Sequence, residues 1–569
     1  MRKMLRYLEN YKKECILAPL FKMLEASFEL FVPYVVAYII DKGIGESSKN
    51  NIVGGCLILV VLALVGLACA VCAQYFAAKA AVGFSCGLKS DLYSHLLKFS
   101  NKQIDSIGTS TMINRITGDV NLAQNGVNMF LRLFLRSPFV VFGAMIMAFT
   151  IDSQIAMIFV AVIIILFLIV GIIMRINIPI LKNVQDRLDE LLSDIRQNLS
   201  GARVIRAFTL EDEEIEKFTD SNKLMSGKKN ISGIVSSFMN PVTYVFINIA
   251  IILVIYTGGI KVSAGALSTG NVVALYNYMS QILVELVKLA NLVVTLNRAL
   301  ASSRRISEVF DINPNEAEDI NDGIKDDSRD FIEFDNVSLR YHSNSDDVLS
   351  GISFKIKRGQ TIGIIGATGS GKSSLAALIP NLYNATEGHI FVDGRDVCEC
   401  NRKSLRKKIS FAMQKSVMFK GTVLDNMTLG DKSITVESVM NALDKSCALD
   451  FVMDKGGIEA EVSEGGANFS GGQKQRLSVA RALATNPEIL ILDDVTSALD
   501  YSTERKLLNN ISQLDEDITT LIISQRASSV MAADKILVLD DGKMVAFDTH
   551  ANLLNNCSIY QEIYRTQFS

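Results

Sequence analysis

Long uncharged runs crowd the first three hundred residues of this chain and are missing from the rest. The clearest, 155–173, has 19 residues without a charge, enough to cross ~30 Å of hydrocarbon at ~1.5 Å per residue. The same hydropathy argument places others near 16–40, 52–82, 129–149, 238–262 and 271–296, six spans in all. Basic residues orient them. The N-terminal tail carries Arg2, Lys3, Arg6, Lys12 and Lys13, and the stretch from Arg175 to Lys229 carries ten more. The opposite loops hold only Lys42 and Lys49, then none over 150–154, then Lys261. Both termini are therefore expected on the cytoplasmic side.

The connections 83–128 and 175–237 are too long for structureless loops and rich in helix formers. They read as helices continuing the spans, with turning points near 116–120 and 208–216. The acidic run Glu211-Asp212-Glu213-Glu214 reads either as a solvated helix start or as a docking element. Ionisable residues inside spans need a reason. Lys22, Glu25 and Glu29 share one helix face, as do Glu285 and Lys288. They either line a polar cavity for cationic or amphipathic solutes or pair between helices. Arg132 and Arg136, at the cytoplasmic start of the third span, are expected to snorkel. Asn240-Pro241 is expected to kink the fifth span.

Beyond an acidic linker over 311–330, with Pro314 and Gly323, the pattern changes to short apolar strands alternating with helices. The expected organisation is an all-α six-helix transmembrane domain (1–310), the linker, and an α/β P-loop domain (331–569). Gly366-Ala367-Thr368-Gly369-Ser370-Gly371-Lys372-Ser373 fits G-x-x-x-x-G-K-[ST] and lies between a strand (361–365) and a helix (374–382) opened by Ser374. Its glycines let backbone N–H groups face phosphates, Lys372 reaches the β- and γ-oxygens, and Ser373 supplies a Mg²⁺ ligand. About 120 residues on, an apolar strand ends in Asp493-Asp494.

Composition narrows the class. With 57 basic against 60 acidic residues, nucleic-acid binding is not indicated. The four histidines (His95, His342, His389, His550) have no metal spacing, and Cys69 and Cys72 sit in an apolar helix where cysteine is a small hydrophobe. No cleavable signal peptide is evident, since Lys22, Glu25 and Glu29 interrupt the first apolar stretch.

On these motifs the chain resembles an ABC transporter half-subunit of the exporter class, specifically the degenerate member of bacterial heterodimeric multidrug exporters. The likeness implies that Tyr341 stacks on adenine, that Gln414 touches Mg²⁺ and couples to the membrane helices, and that Glu464 senses the intracellular loops. It also makes Ser470, Gly471, Gly472 and Gln473 the signature peptide, with Phe469 in place of the usual leucine. The loop Ser497-Ala498-Leu499-Asp500 then passes between two nucleotide sites. Two positions depart from the pattern: Asp494 stands where Glu is usual, and Gln525 where His is usual. In such a family each ATP lies between one chain's P-loop and the other's signature. The resemblance therefore implies a poorly hydrolysing site here and a partner half-transporter with Asp-Glu, histidine and a weak signature. It implies ATP and Mg²⁺ as ligands, a lipid environment in a bacterial cytoplasmic membrane, and a small amphipathic substrate. Lipid or peptide export, a sensor subunit, and a homodimer with two slow sites are the alternatives.

Overall fold

The computed structural model of the chain describes residues 2–314, 325–341 and 346–568. Most of the expected linker, Gly323 included, and His342 lie outside the described residues. Two compact units form: residues 1–96 with 110–313, and residues 97–109 with 314–569.

Among the described residues of the first unit, six helices are long and apolar enough to cross a membrane. Each expected span overlaps one of them. Helix Lys49–Leu96 has 48 residues and Glu211–Ser263 has 53. At ~1.5 Å per residue they run ~70–80 Å, over twice the hydrocarbon thickness. Small residues set the helix packing. A Cβ on Gly126 would stand 2.2 Å from the Ala299 Cβ, so only glycine permits that approach. Val140, Ala144, Phe159, Tyr278 and Ile282 belong to one buried core, and the Tyr278 hydroxyl donates to the Leu30 carbonyl at 2.8 Å.

Two outcomes differ from the sequence expectation. Arg136 does not snorkel: it is 6% exposed and held between carboxylates on two other helices. Its guanidinium bonds Glu285 closely and Glu29 at 2.6 Å. Lys288 reaches Glu285 at 2.8 Å, Lys22 reaches Glu25 at 2.5 Å, and the Ser137 hydroxyl donates to Glu285 at 2.9 Å. The in-span charges are thus paired across helices Lys12–Tyr38, Arg136–Ile151 and Thr269–Asp311. Burial makes this pairing obligatory.

Pro241 lies inside the continuous helix Glu211–Ser263. The third span is interrupted at Phe134–Leu135, where Pro138 has no N–H to offer the Phe134 carbonyl.

The second difference is the first turning point. Helix Lys49–Leu96 ends earlier than expected, and the chain turns through a short helix, Asn101–Ile107, capped by the reciprocal Ser100–Gln103 box. Residues 116–120 instead lie at a π-helical turn, Arg115–Asp119, where Asp119 is buried and paired with Arg115 and Arg305. The second turn, expected at 208–216, is made by Ala202–Phe208 and by Thr209 at φ +56°. Glu211, Asp212, Glu213 and Glu214 form the next helix's first turn, where the helix dipole favours acids.

The second unit stacks a four-stranded antiparallel sheet against a six-stranded one. In the larger sheet the order is Lys543–Asp548, Lys535–Asp540, Thr361–Gly366, Thr519–Ser524, Ile489–Asp493, Ile409–Ala412, all parallel except the first. The parallel strands are apolar on both faces, as burial on both sides requires. A separate core of Met418, Val439, Leu443, Val462 and Phe469 supports helix Gly471–Ala484. Phe469 is thus a core residue.

Removing the charge that holds Glu285 is the sharpest stability test of the first unit. Arg136→Met strands a buried carboxylate and is expected to cost about 3–5 kcal/mol. It should be read as a large loss of thermal stability in detergent. Lys42→Met, which breaks an exposed pair with Glu46, should leave the melting temperature unchanged.

Candidate functional site

Parallel strands in register deliver their following loops to one edge. Ile365 pairs Ser524, Ile523 pairs Asp493, and Leu492 pairs Ala412. The P-loop, Asp494, Gln525 and Gln414 therefore meet at the carboxyl ends of four neighbouring strands. Thr368, Gly369, Gly371, Lys372, Ser373, Ser374, Gln414, Asp493, Asp494 and Gln525 line a common cavity of about 270 Å³.

The loop geometry follows from its glycines. Gly371 has φ +93°, and a Cβ on Gly366 would lie 2.1 Å from the Leu539 carbonyl. The Lys372 ammonium donates to the carbonyls of Gly366 (2.9 Å) and Ala367 (2.7 Å). Burial lowers its affinity for the proton, against the charges of Asp494 and Asp493. The Ser370 hydroxyl is buried without a partner among the described residues. An orphan hydroxyl, an ammonium on carbonyls and backbone open above Gly369 suit a polyphosphate. The Ser373 hydroxyl donates to Asp493 at 3.0 Å, an all-oxygen pair fitting Mg²⁺.

Asp494 is held in the left-handed region at φ +49°. The Gln414 amide donates to its carboxylate at 3.2 Å. Burial raises the Asp494 carboxyl above its ordinary range, although Gln414, Lys372 and Arg526 pull the other way. Asp493 is raised by burial too, and by the Asp494 charge beside it. Gln525 turns its amide oxygen to the Thr368 hydroxyl, 3.1 Å away.

The remaining expected residues lie around this centre. Tyr341 is outside the cavity lining but tied to it, its hydroxyl donating to Ser374 at 2.9 Å. Its ring stands edge-on to Tyr383, with centroids 5.0 Å apart. Ser470 caps helix Gly471–Ala484 in a reciprocal box with Gln473. A Cβ on Gly472 would press on the Ala498 carbonyl at 2.9 Å, whereas one on Gly471 would meet only the Ala498 methyl at 3.9 Å. Gly472 is demanded by the chain's own packing; Gly471 is not. Asp500 caps helix Tyr501–Ser512, and hydrogen bonds from Ser502 and Thr503 hold its carboxyl well below the usual range. Glu464 is exposed at the turn Glu464–Gly466.

Two residues were not found from sequence. Gln475 joins the signature helix to the loop 497–500, donating to the Ser497 hydroxyl at 3.1 Å and accepting from the Ala498 N–H at 3.1 Å. Tyr383 donates to Asp105 at 2.7 Å, fixing the short helix Asn101–Ile107 to the cassette. Neither carries a local signal, because the burial of Gln475 and the partner of Tyr383 are set by the fold.

With this geometry in place, the comparisons agree with one another. Residues 15–286 match the ABC transporter transmembrane region, and residues 349–497 the ABC transporter domain. An uncharacterized ABC transporter ATP-binding protein of Bacillus subtilis, YfiB, is 33% identical over 569 residues, covering 100% of this chain and 99% of that one. The putative multidrug export ATP-binding/permease protein YgaD of the same organism is 29% identical over 582 residues, covering 100% and 99%. A bacterial Atm1-family ABC exporter solved with ATP bound superposes with a TM-score of 0.83 at 22% identity, over 98% of each chain. The chain belongs to the ABC transporter family and has the fold of its exporters. It is accordingly a multi-pass membrane protein whose cassette binds ATP, with Mg²⁺ as the usual companion, and couples ATPase activity to transport.

The two raised carboxyls make a pH prediction. A carboxyl raised on folding is penalised once ionised, so its cost is present at neutral pH and vanishes as pH falls through the raised value towards 3.8. Asp494→Asn keeps an acceptor for Gln414 and removes that cost. Nucleotide-free Asp494→Asn should melt higher than the parent at about pH 7.5, with the gain shrinking towards about pH 4. A gain that grows on acidification would contradict the assignment.

Proposed function

We propose that this chain is the slow-site half of a heterodimeric ATP-driven exporter in a bacterial cytoplasmic membrane, with both termini cytoplasmic. The observation that carries the reading is an imbalance within one cassette. Its own hydrolytic positions hold Asp494 and Gln525, while the peptide it would lend to another chain is intact and capped. Gly471 leaves open backbone at a helix N-terminus that this chain's packing does not require, as expected where a second chain's nucleotide must approach.

The chemistry follows from the side chains. Asp494 is one methylene shorter than Glu, so its oxygens fall ~1–1.5 Å short of the usual reach. Misplacement on that scale costs on the order of 10²-fold in rate. Gln525 donates a hydrogen bond but can neither carry a proton nor a charge. Lys372, Ser370 and the P-loop amides keep their capacity to hold phosphates. Ser373, Asp493 and Gln414 would hold Mg²⁺, which when bound offsets phosphate charge. ATP here then serves to hold the dimer closed. Turnover happens at the partner's P-loop, completed by Ser470–Gln473 of this chain, where the partner carries Asp-Glu and histidine and has a weak signature of its own. The name given to YgaD supports a multidrug or amphipathic substrate class.

Purified alone in nanodiscs, the chain is expected to bind ATP with almost no turnover, and co-purification with its partner to restore hydrolysis. Robust turnover by the isolated chain would overturn the heterodimer reading. In the pair, Gly471→Asp should abolish hydrolysis by setting a carboxylate against the γ-phosphate, whereas Asp494→Asn should change it little. Asp494→Glu with Gln525→His should restore single-turnover hydrolysis at this site only modestly, because the partner's signature still limits charge stabilisation.

A further inference from the structure

The loop after strand Thr519–Ser524 carries Gln525, and its backbone is pinned by a distant residue. A loop at a sheet edge has backbone polar groups that the ladder no longer satisfies, and each needs a partner. The Gln525 carbonyl accepts from Gln567 Nε2 at 2.8 Å, and the Ala527 N–H donates to Gln567 Oε1 at 2.7 Å. One side chain thus meets two backbone groups flanking Arg526, a task for an amide, which has a donor and an acceptor at one tip. Gln567 belongs to the C-terminal helix Ser558–Phe568, seated through the buried Tyr560, whose hydroxyl is bonded to His550 Nδ1 at 2.7 Å.

On the other side, Arg526 reaches the buried Glu504 at 2.7 Å, in the helix that Asp500 caps. The loop is therefore clamped twice, and between the clamps only the Gln525 side chain points to the P-loop, at Thr368.

We propose that Gln567 is a positioning residue: through the backbone of Gln525 it fixes how the Gln525 side chain meets the P-loop, and the docked C-terminal helix thereby sets how long ATP stays on this cassette. The proposal rests on Gln525 belonging to the nucleotide site, not on the identity of the partner or on turnover. Lifting the C-terminal helix would free the loop by releasing two of its backbone groups, the Gln525 carbonyl and the Ala527 N–H.

The test uses the full chain in lipid nanodiscs, with hydrogen exchange at the Ala527 amide and release of a fluorescent ATP analogue as readouts. Gln567→Met keeps the side chain's length and loses both bonds. It should speed Ala527 exchange and analogue release about fivefold. In a Gln525→Ala background the same change should speed exchange but add nothing to release. Gln561→Met, which removes a bond to the Leu554 carbonyl in the same C-terminal segment, should alter neither. If Gln567→Met loosens the whole helix, Gln567→Glu decides. It keeps an acceptor for Ala527 but faces the Gln525 carbonyl with oxygen, so release should speed while the helix stays protected. Unchanged Ala527 exchange in both variants, or a release effect undiminished without the Gln525 side chain, would overturn the proposal.

Discussion

Parallel strands cannot choose where their loops go: strands running in one direction and in register put all their exits on one edge. The cassette depends on this. Thr361–Gly366, Thr519–Ser524, Ile489–Asp493 and Ile409–Ala412 each contribute one loop, and the phosphate loop, both aspartates, Gln525 and Gln414 arrive together with no further element to gather them. Because all four strands are buried on both faces, a slip of one residue would move apolar side chains and chemical groups together. The hydrophobic register is thus also the register of the site.

The same geometry fixes Asp494 from both ends. Its backbone position is set by its strand and by its N–H bond to the Ile523 carbonyl at 2.9 Å. Its carboxylate is held by the Gln414 amide. Gln475 likewise binds the signature helix to the loop 497–500, so a partner's nucleotide would meet two elements that move as one.

Much of this was legible in the sequence, because its signals are local. Hydropathy over 155–173, the glycine spacing of 366–373 and the apolar run before Asp493 each fit within one element. What was not legible depends on partners far along the chain. Arg136 reads as a snorkelling residue until Glu29 and Glu285, 107 and 149 positions away, close on it. The sequence pattern points to a first turn near 116–120, whereas the chain turns at Asn101–Ile107. The Ser100–Gln103 box that marks it is short and polar and sits beside a helix that continues a span. The two glutamines, Gln475 and Gln567, show no pattern at all, since their bonds are to loops that only the fold brings near.

The paired charges within the first unit have an electrical consequence. Glu25, Glu29 and Glu285 are balanced by Lys22, Arg136 and Lys288, bonded to one another across three helices. Moving one elementary charge through the membrane field is worth ~2.3 kcal/mol per 100 mV. A cluster that moves as a neutral whole feels none of that. The cluster therefore adds no electrical work of its own when the helices around it rearrange.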